Sequence, residues 1–443
     1  MLARLSQHLA ARMGLHFPPE RWNELQRGVA ATAKEFELGS PMACADWLMA
    51  SRMNRQQVEM LASNLTVGET CFFRERQSFD ILQMEILPEI IRRRRGGDQR
   101  LRIWSAGCCT GEEPYSIAII LRQILPDLAD WNVTILATDI NPRFLHKAAE
   151  GVYGEWSFRD APEWARDRCF HKVGKSLYQI RPEIKAMVTC NYLNLADDLY
   201  PSLLNNTNAM DAIFCRNVLM YFAPGQARKV IRGLHHALVD GGWLLVSPSD
   251  FPHVHVPSFA VVSYPGAILY QKVLQREPVA PHEETVVCSG QGIQPEAADV
   301  LTDGSGNSAE PQVIARLARA YADQGRLAEA LAACERAVAT DTLTPSHHYL
   351  RAMILQEQGA ADEARSSLKR ALYLDPRLVV VHFALGNLAR AEGCGAEALR
   401  HFSNATRLLC AYEPEDLLPE AGGITAGRLA TILATMKERE FAS

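Results

Sequence analysis

Between Ser105 and Tyr115 the chain reads Ser-Ala-Gly-Cys-Cys-Thr-Gly-Glu-Glu-Pro-Tyr, preceded by Leu101-Arg-Ile-Trp104 and followed by apolar residues at helical spacing. That order is strand, glycine loop, helix. Gly107 and Gly111 allow the backbone to turn sharply and to approach a ligand with no β-carbon in the way. Glu112 and Glu113 bear on the ligand class. Two negative charges at a helix start would repel a phosphate, and the tighter Gly-x-Gly-x-x-Gly of a dinucleotide site is missing. A cationic cofactor without phosphate suits the loop better. A second apolar strand, Thr134-Ile-Leu-Ala137, ends in Thr138-Asp139, where a carboxylate can grip both ribose hydroxyls. Together these features point to S-adenosylmethionine. Without Asp139 the loop would read as an ordinary α/β crossover turn.

Two more clusters carry polar side chains toward such a site. The strand Ala212-Ile-Phe-Cys215 delivers Arg216, Asn217 and, after a helical turn, Tyr221 to the carboxyl edge of a sheet, where ligands bind in α/β folds. Gly68-Glu-Thr-Cys-Phe-Phe-Arg74 sets Thr70 and Arg74 around two aromatics. Taken alone, Phe72 and Phe73 are core residues and the arginine is a solvated charge; the rest of the constellation raises its functional weight.

The elements that position these residues follow from periodicity. Residues 1–72 read as an all-α domain, with Trp22, Leu25, Val29, Phe36, Trp47, Met53 and Leu61 at mixed helical spacings. Residues 73–274 alternate short apolar runs, Leu101–Trp104, Val133–Ala137, Ala212–Cys215 and Trp243–Val246, with helical stretches, as in a parallel α/β sheet. Residues 275–310 are polar and rich in Glu, Gly, Pro and Ser, and read as a flexible linker. Over 443 residues, 46 basic and 51 acidic side chains leave a net charge of -5, which gives no chain-wide footprint for nucleic acid. Eleven cysteines form no metal-type pairs and fit a reduced, cytoplasmic setting. No window reaches the ~18 apolar residues of a spanning helix, so no membrane insertion is expected.

Beyond the linker the chain repeats itself. Gly325, Gly359 and Gly393 lie 34 residues apart, as do Ala330, Ala364 and Ala398, and Ala337, Ala371 and Ala405. That interval is the length of a helix-turn-helix tetratricopeptide unit, and residues 311–412 resemble that family. Each glycine should end the first helix of a unit, and the alanines should let the paired helices approach. Leu317, Tyr321, Leu368, Leu385 and Phe402 are expected to supply bulk. An α-solenoid of three units would present a concave groove to a protein or peptide that the sequence does not identify, and residues 413–443 would form a capping helix or tail.

Gly68–Arg74, Trp104–Ser116, Ala137–Ile140, Asn194-Leu195 and Phe214–Phe222 together resemble the signatures of chemotaxis receptor glutamate methyltransferases, the CheR type. The resemblance covers residues 1 to about 272 and implies a class I, Rossmann-like S-adenosylmethionine-dependent fold. It implies that Thr70, Arg74 and Glu112 or Glu113 hold the methionine end, with Gly68 and Gly107 also at the cofactor. Asp139 would take the ribose, Asn194 and Leu195 the adenine, and Arg216 and Asn217 would complete the wall. Arg74 and Tyr221 would face the substrate carboxylate as the catalytic pair. The chain departs from the family at Gly68, where members often carry asparagine, and at Ser247-Pro-Ser-Asp250, where they often carry Gly-His-Ser-Glu. A small antiparallel excursion near residues 170–190 is implied, running from Leu177 to Thr189 after a turn at Lys172 to Ser176. The helical domain would contact the cytoplasmic domain of an acidic chemoreceptor, with Arg52, Arg55 and Arg92 to Arg95 as basic candidates.

The implied reaction forms a glutamate methyl ester and S-adenosylhomocysteine. A glutamate with a pKa of about 4.3 is already ionised at neutral pH, so a general base is unnecessary. Two rival readings stand beside it: another methyltransferase on the same sheet, and a catalytically weak scaffold that binds cofactor while the repeats act.

Overall fold

The computed structural model describes residues 1–50, 55–197, 199–203, 205–250, 259–265, 267–273, 309–421, 424–427, 429–430 and 432–434. Residues 275–308 of the expected linker, and Arg52, lie outside them, and Ala309 already opens a helix.

Four helices, α1 (Leu2–Met13), α2 (Trp22–Glu35), α3 (Pro41–Ala50) and α4 (Arg55–Leu65), bury Leu5, Leu9, Leu25, Leu48 and Leu61 between them. α1 stops at Gly14, whose φ of 75° is the left-handed cap that glycine favours. A β-carbon there would lie 2.0 Å from the Phe222 ring, so this glycine also brings the bundle onto the next domain. Leu15 then bridges Phe222, and the His16 amide donates to the Tyr221 carbonyl at 2.8 Å. Helices α5 (Arg76–Ile81) and α6 (Leu87–Arg94) lead into the sheet.

The α/β domain contains β1 (Arg100–Ala106), α7 (Glu112–Ile124), β2 (Asn132–Asp139), α8 (Pro142–Glu150), β3 (Val152–Gly154), α9 (Glu163–Cys169), β4 (Phe170–Lys172) and β5 (Leu177–Ile180). It continues with α10 (Pro182–Lys185), β6 (Val188–Tyr192), β7 (Met210–Phe214), α11 (Pro224–Ala237), β8 (Leu238–Leu245), β9 (Phe259–Tyr264) and β10 (Ala267–Lys272). The main sheet runs β6-β2-β1-β7-β8-β10-β9. Its first five strands are parallel, and every residue of β1 and β7 is buried, as expected of strands covered on both faces. The expectation of a parallel sheet needs correction at one edge, where β10 runs antiparallel to both β8 and β9; the connection from β9 to β10 is so short that it can join only antiparallel strands. The chain leaves β1 for β2 and β6 on one side and returns to β7 on the other, which opens a crevice at the carboxyl ends of β1 and β7.

The excursion is a separate antiparallel sheet in the order β3-β5-β4. It begins earlier than anticipated, with β3 at Val152–Gly154, and ends earlier. Only residues up to Ile180 belong to it, and Thr189 sits in β6 of the main sheet beside Leu136. Phe72, buried as expected, packs against Tyr153, Phe158 and Phe170 of this region with ring centroids 4.8–5.0 Å apart.

Three helix pairs follow: α12 (Ala309–Asp323) with α13 (Leu327–Thr340), α14 (Pro345–Glu357) with α15 (Ala361–Leu374), and α16 (Val379–Ala391) with α17 (Gly395–Leu409). Gly325, Gly359 and Gly393 turn the chain between partners at φ 76°, 81° and 75°, and all six periodic alanines are fully buried. Phe402 is fully buried with its ring over Gly386, where a β-carbon would lie 2.3 Å away. Burial of such a side chain stabilises by about 1.5–3 kcal/mol. Leu317 does not supply core bulk as expected. It is 41% exposed, because the first helix of an array has no preceding unit to cover it.

The array sits against the amino edge of the sheet. Arg100 at the start of β1 donates to Glu357 of α14 at 2.8 Å, Arg102 approaches the same carboxylate at 3.8 Å, and the Asn132 side-chain amide donates to the Glu357 carbonyl at 3.1 Å. All three charged side chains are buried. Arg94, Asp211 and the Arg102 amide extend the network. Within the run Arg92 to Arg95 only Arg94 is drawn into this network, through Asp211, while Arg92 and Arg93 pair with Glu89 and Arg95 with Asp127 at the exposed surface.

Candidate functional site

A cavity of about 420 Å³ opens at the carboxyl ends of β1, β2 and β7, within the size range of small-molecule sites. The glycine loop forms its floor. Gly107, Cys109 and Gly111 have φ of 85°, 50° and 96°, and the Gly107 and Cys108 amides donate to the Thr138 carbonyl at 2.8 and 2.9 Å. A β-carbon on Gly107 would come within 2.4 Å of Val218, so glycine lets the loops after β1 and β7 touch.

Two carboxylates face this cavity. Asp139 accepts the Cys109 amide at 2.9 Å and the Asn141 amide at 2.8 Å, one on each oxygen. Burial pushes its carboxyl up to about 6, against the pull of those amides. Glu113 accepts from the Ser105 hydroxyl at 2.7 Å and from Arg216 at 3.3 Å, and burial raises its carboxyl while Arg216 opposes the shift. Glu112 is turned away from the cavity and accepts from Thr110 at 2.6 Å and Ser157 at 3.0 Å. Adjacent helical positions point about 100° apart, so only one of the two acids can face the ligand.

Arg216 is buried and also donates to the Arg74 carbonyl at 2.6 Å and to Glu75 at 2.9 Å. It thereby holds the peptide that carries Arg74. On either side of that residue, Phe73 and Glu75 adopt φ of 57° and 55°. Left-handed backbone at such residues costs on the order of 1–3 kcal/mol and persists only where the surroundings enforce it. Here the Phe73 amide donates to the Ser116 hydroxyl at 3.0 Å and the Phe72 amide to the Ser157 carbonyl at 2.8 Å. The Arg74 guanidinium donates to the Glu69 carbonyl at 2.7 Å and lines the cavity.

Asn217, at φ 55°, donates its amide to Asp250 at 2.6 Å, and Asp250 also accepts the Met220 amide at 3.0 Å. Asp250 thus braces the loop after β7 from the segment where the chain departs from the family pattern. Asn194 donates to the Arg12 carbonyl and to Asp197, both at 3.0 Å. Tyr221 has Arg21 over its ring, 5.1 Å from the centroid, and burial raises its hydroxyl above the ordinary value, which keeps it a donor.

The cavity therefore brings together Thr70, Arg74, Gly107, Glu113, Asp139, Asn194, Leu195, Arg216, Asn217 and Tyr221. It leaves out Glu112 and Gly68. A β-carbon at Gly68 would meet the Phe144 ring at 2.7 Å, and it is Phe144 that reaches the cavity. Sequence reasoning missed the wall supplied by the helical bundle, namely Met13, His16, Phe17 and Arg21. The signal for it was Gly14. Buried Asp139 and partly buried Glu113, set among apolar walls, suit a cationic cofactor.

Residues 68–263 match the family described as CheR methyltransferase, SAM binding domain, and residues 311–341 and 348–378 match the tetratricopeptide repeat. A "Probable chemotaxis protein methyltransferase" of Rhizobium etli is 36% identical over 206 residues, covering 46% of this chain and 75% of that protein. The chain belongs to the CheR methyltransferase family. Among its CheR relatives, the "Probable biofilm formation methyltransferase WspC" of Pseudomonas aeruginosa is 29% identical over 377 residues, 78% of this chain and 85% of that one. "Chemotaxis protein methyltransferase 2" of Vibrio cholerae is 34% identical over 195 residues, 44% and 66% of the two chains. This CheR protein is thus an S-adenosylmethionine-dependent methyltransferase carrying a tetratricopeptide array. Among the described residues no helix is long and apolar enough to cross a membrane.

Proposed function

We propose that this CheR-family enzyme esterifies glutamate side chains in the cytoplasmic region of a chemosensory receptor. The supporting observation is that Arg74 lines the same cavity as Glu113 and Asp139. Asp139 would accept from the ribose hydroxyls, Glu113, paired with Arg216, would hold the methionine end beside Thr70, and Asn194 and Leu195 would flank the adenine. Asn217, held by Asp250, would complete the wall. When bound, the sulfonium supplies an electrophilic methyl: a carboxylate oxygen forms the new C–O bond as the C–S bond breaks, leaving the ester and S-adenosylhomocysteine. Arg74 presents a planar two-point donor to the incoming carboxylate, and Tyr221 remains a neutral donor beside it. Opposite charges vanish as the transition state forms, so the apolar walls that exclude water favour it.

The product decides the chemistry. Methyl groups from labelled cofactor should appear on receptor-bearing membranes and leave as methanol in mild base, whereas an N-methyl product would be stable. Arg74→Ala should slow transfer on the order of 10²-fold through lost alignment, a larger effect than any loss of affinity for S-adenosylhomocysteine. Full turnover in that variant would remove Arg74 from the site, and absence of any transfer by the unmodified chain would favour the scaffold reading.

A further inference from the structure

Past α17 the described residues 414–421 and 424–425 fold back on themselves, and residues 426–427, 429–430 and 432–434 are helical, with Leu429 and Leu433 buried in the same core, as the expected capping segment. Leu417 bridges Thr425, the Leu418 amide donates to the Ile424 carbonyl at 3.1 Å, the Ala426 amide to Asp416 at 2.9 Å and the Gly427 amide to Pro414 at 3.0 Å. The apolar side of this hairpin is buried: Leu418, Ala421, Ile424 and Ala426 are at most 4% exposed. They share one core with Tyr349, Ala352 and Leu355 of α14 and with Val380, Phe383 and Ala384 of α16. At its turn Glu420, at φ 60°, accepts from Arg319 of α12 at 3.0 Å. The hairpin thus touches the first helix of all three units.

First helices line the inner face of such arrays, the face that takes partners. α16 shows that its share is covered. Val379, Val380, Val381, Phe383, Ala384, Leu385, Gly386, Leu388 and Ala389 are all buried, so the helix is enclosed all round rather than along one stripe.

We infer that the inner face of the repeats is a docking surface whose resident occupant is the chain's own 414–427 hairpin, and that a partner reaches it by presenting the same chemistry in competition. That chemistry is an acid for Arg319 set among small and aliphatic residues. The inference extends the docking role of the repeats and does not depend on methyl transfer. A tethered segment competes at an effective concentration of about 1 mM, so a free segment of the same sequence binds only weakly until the resident one is displaced.

The experiment uses the full chain and a fluorescent peptide of residues 413–427. Ala421→Arg in the chain places a long cation at a fully buried methyl and should expel the hairpin, which raises peptide affinity at least tenfold over the unmodified chain. Adding Arg319→Glu should weaken that binding several-fold, and a peptide carrying Glu420→Arg should recover it. Equal binding by the unmodified and Ala421→Arg chains, or indifference to Arg319→Glu, overturns the inference. Should Ala421→Arg not fold, hydrogen exchange on the unmodified chain decides. Excess peptide should speed exchange at the Leu418, Ala426 and Gly427 amides, and unchanged rates overturn the inference equally.

Discussion

At the carboxyl end of the sheet, Glu113 and Asp139 line an open cavity and burial raises both carboxyls. At the amino end of the same sheet, Arg100, Arg102 and Glu357 are just as buried but face one another across the contact with the repeats. One edge sets its acids on a cavity; the other pairs its charges across a contact within the chain. The difference follows from what each edge must do. A ligand site needs unspent hydrogen-bonding capacity, at a cost in stability, whereas a docking contact is stable only when its buried charges are paired.

The sharpest break of this contrast is Glu357→Ala. It leaves Arg100 buried without its carboxylate, and removing one partner of a buried pair costs about 3–5 kcal/mol. We expect a lower thermal midpoint and unchanged affinity for S-adenosylhomocysteine by calorimetry. A parallel loss of affinity would show that the two edges are one coupled unit.

The open edge answers to pH instead. Burial pushes the Asp139 carboxyl up to about 6 from the usual 3.8. If, as proposed, its ionised form accepts from the ribose hydroxyls, affinity for S-adenosylhomocysteine should be level above pH 7 and fall about tenfold by pH 5. Stability of the unliganded protein runs the other way. A carboxyl raised in the folded state contributes stability that is present below the unfolded value and lost as pH rises through about 6. Asp139→Asn should flatten the affinity profile; a profile that keeps its slope in that variant assigns the titration to Glu113.

The contrast also separates what was legible in the sequence from what was not. The glycine loop, Asp139 and the Arg216-Asn217 turn were readable because each follows a strand, and position on a strand end fixes position in the crevice. The repeat glycines were readable because a left-handed cap recurs at one interval. The choice between Glu112 and Glu113 was not, since no local pattern reports which side of α7 faces the ligand. The bundle wall at Met13 to Arg21, the Arg100–Glu357 contact and the folded-back hairpin share one cause. Each joins residues far apart in the chain, and periodicity reports which face of an element is buried but never what buries it.

The smallest expected effect tests the contact most cleanly. Gly325 and Gly393 hold the same turn in different units, at φ 76° and 75°, so alanine at either meets the same backbone strain of about 1–2 kcal/mol. Their surroundings differ. A β-carbon at Gly325 would lie 3.0 Å from Val239, 3.1 Å from the Arg100 guanidinium and 3.4 Å from Ala209, whereas nothing lies within 4 Å of one at Gly393. Arg100 is fixed by Glu357 and cannot give way at little cost. Gly325→Ala should therefore lose about 1 kcal/mol more than Gly393→Ala, at the low end of overpacking penalties, as measured by denaturant unfolding. Gly359→Ala, whose nearest neighbour is Asn132 at an ordinary 3.7 Å, should match Gly393→Ala. Equal losses at all three glycines would mean that the repeats do not rest on the sheet in solution, because the excess at Gly325 has no other source than that contact.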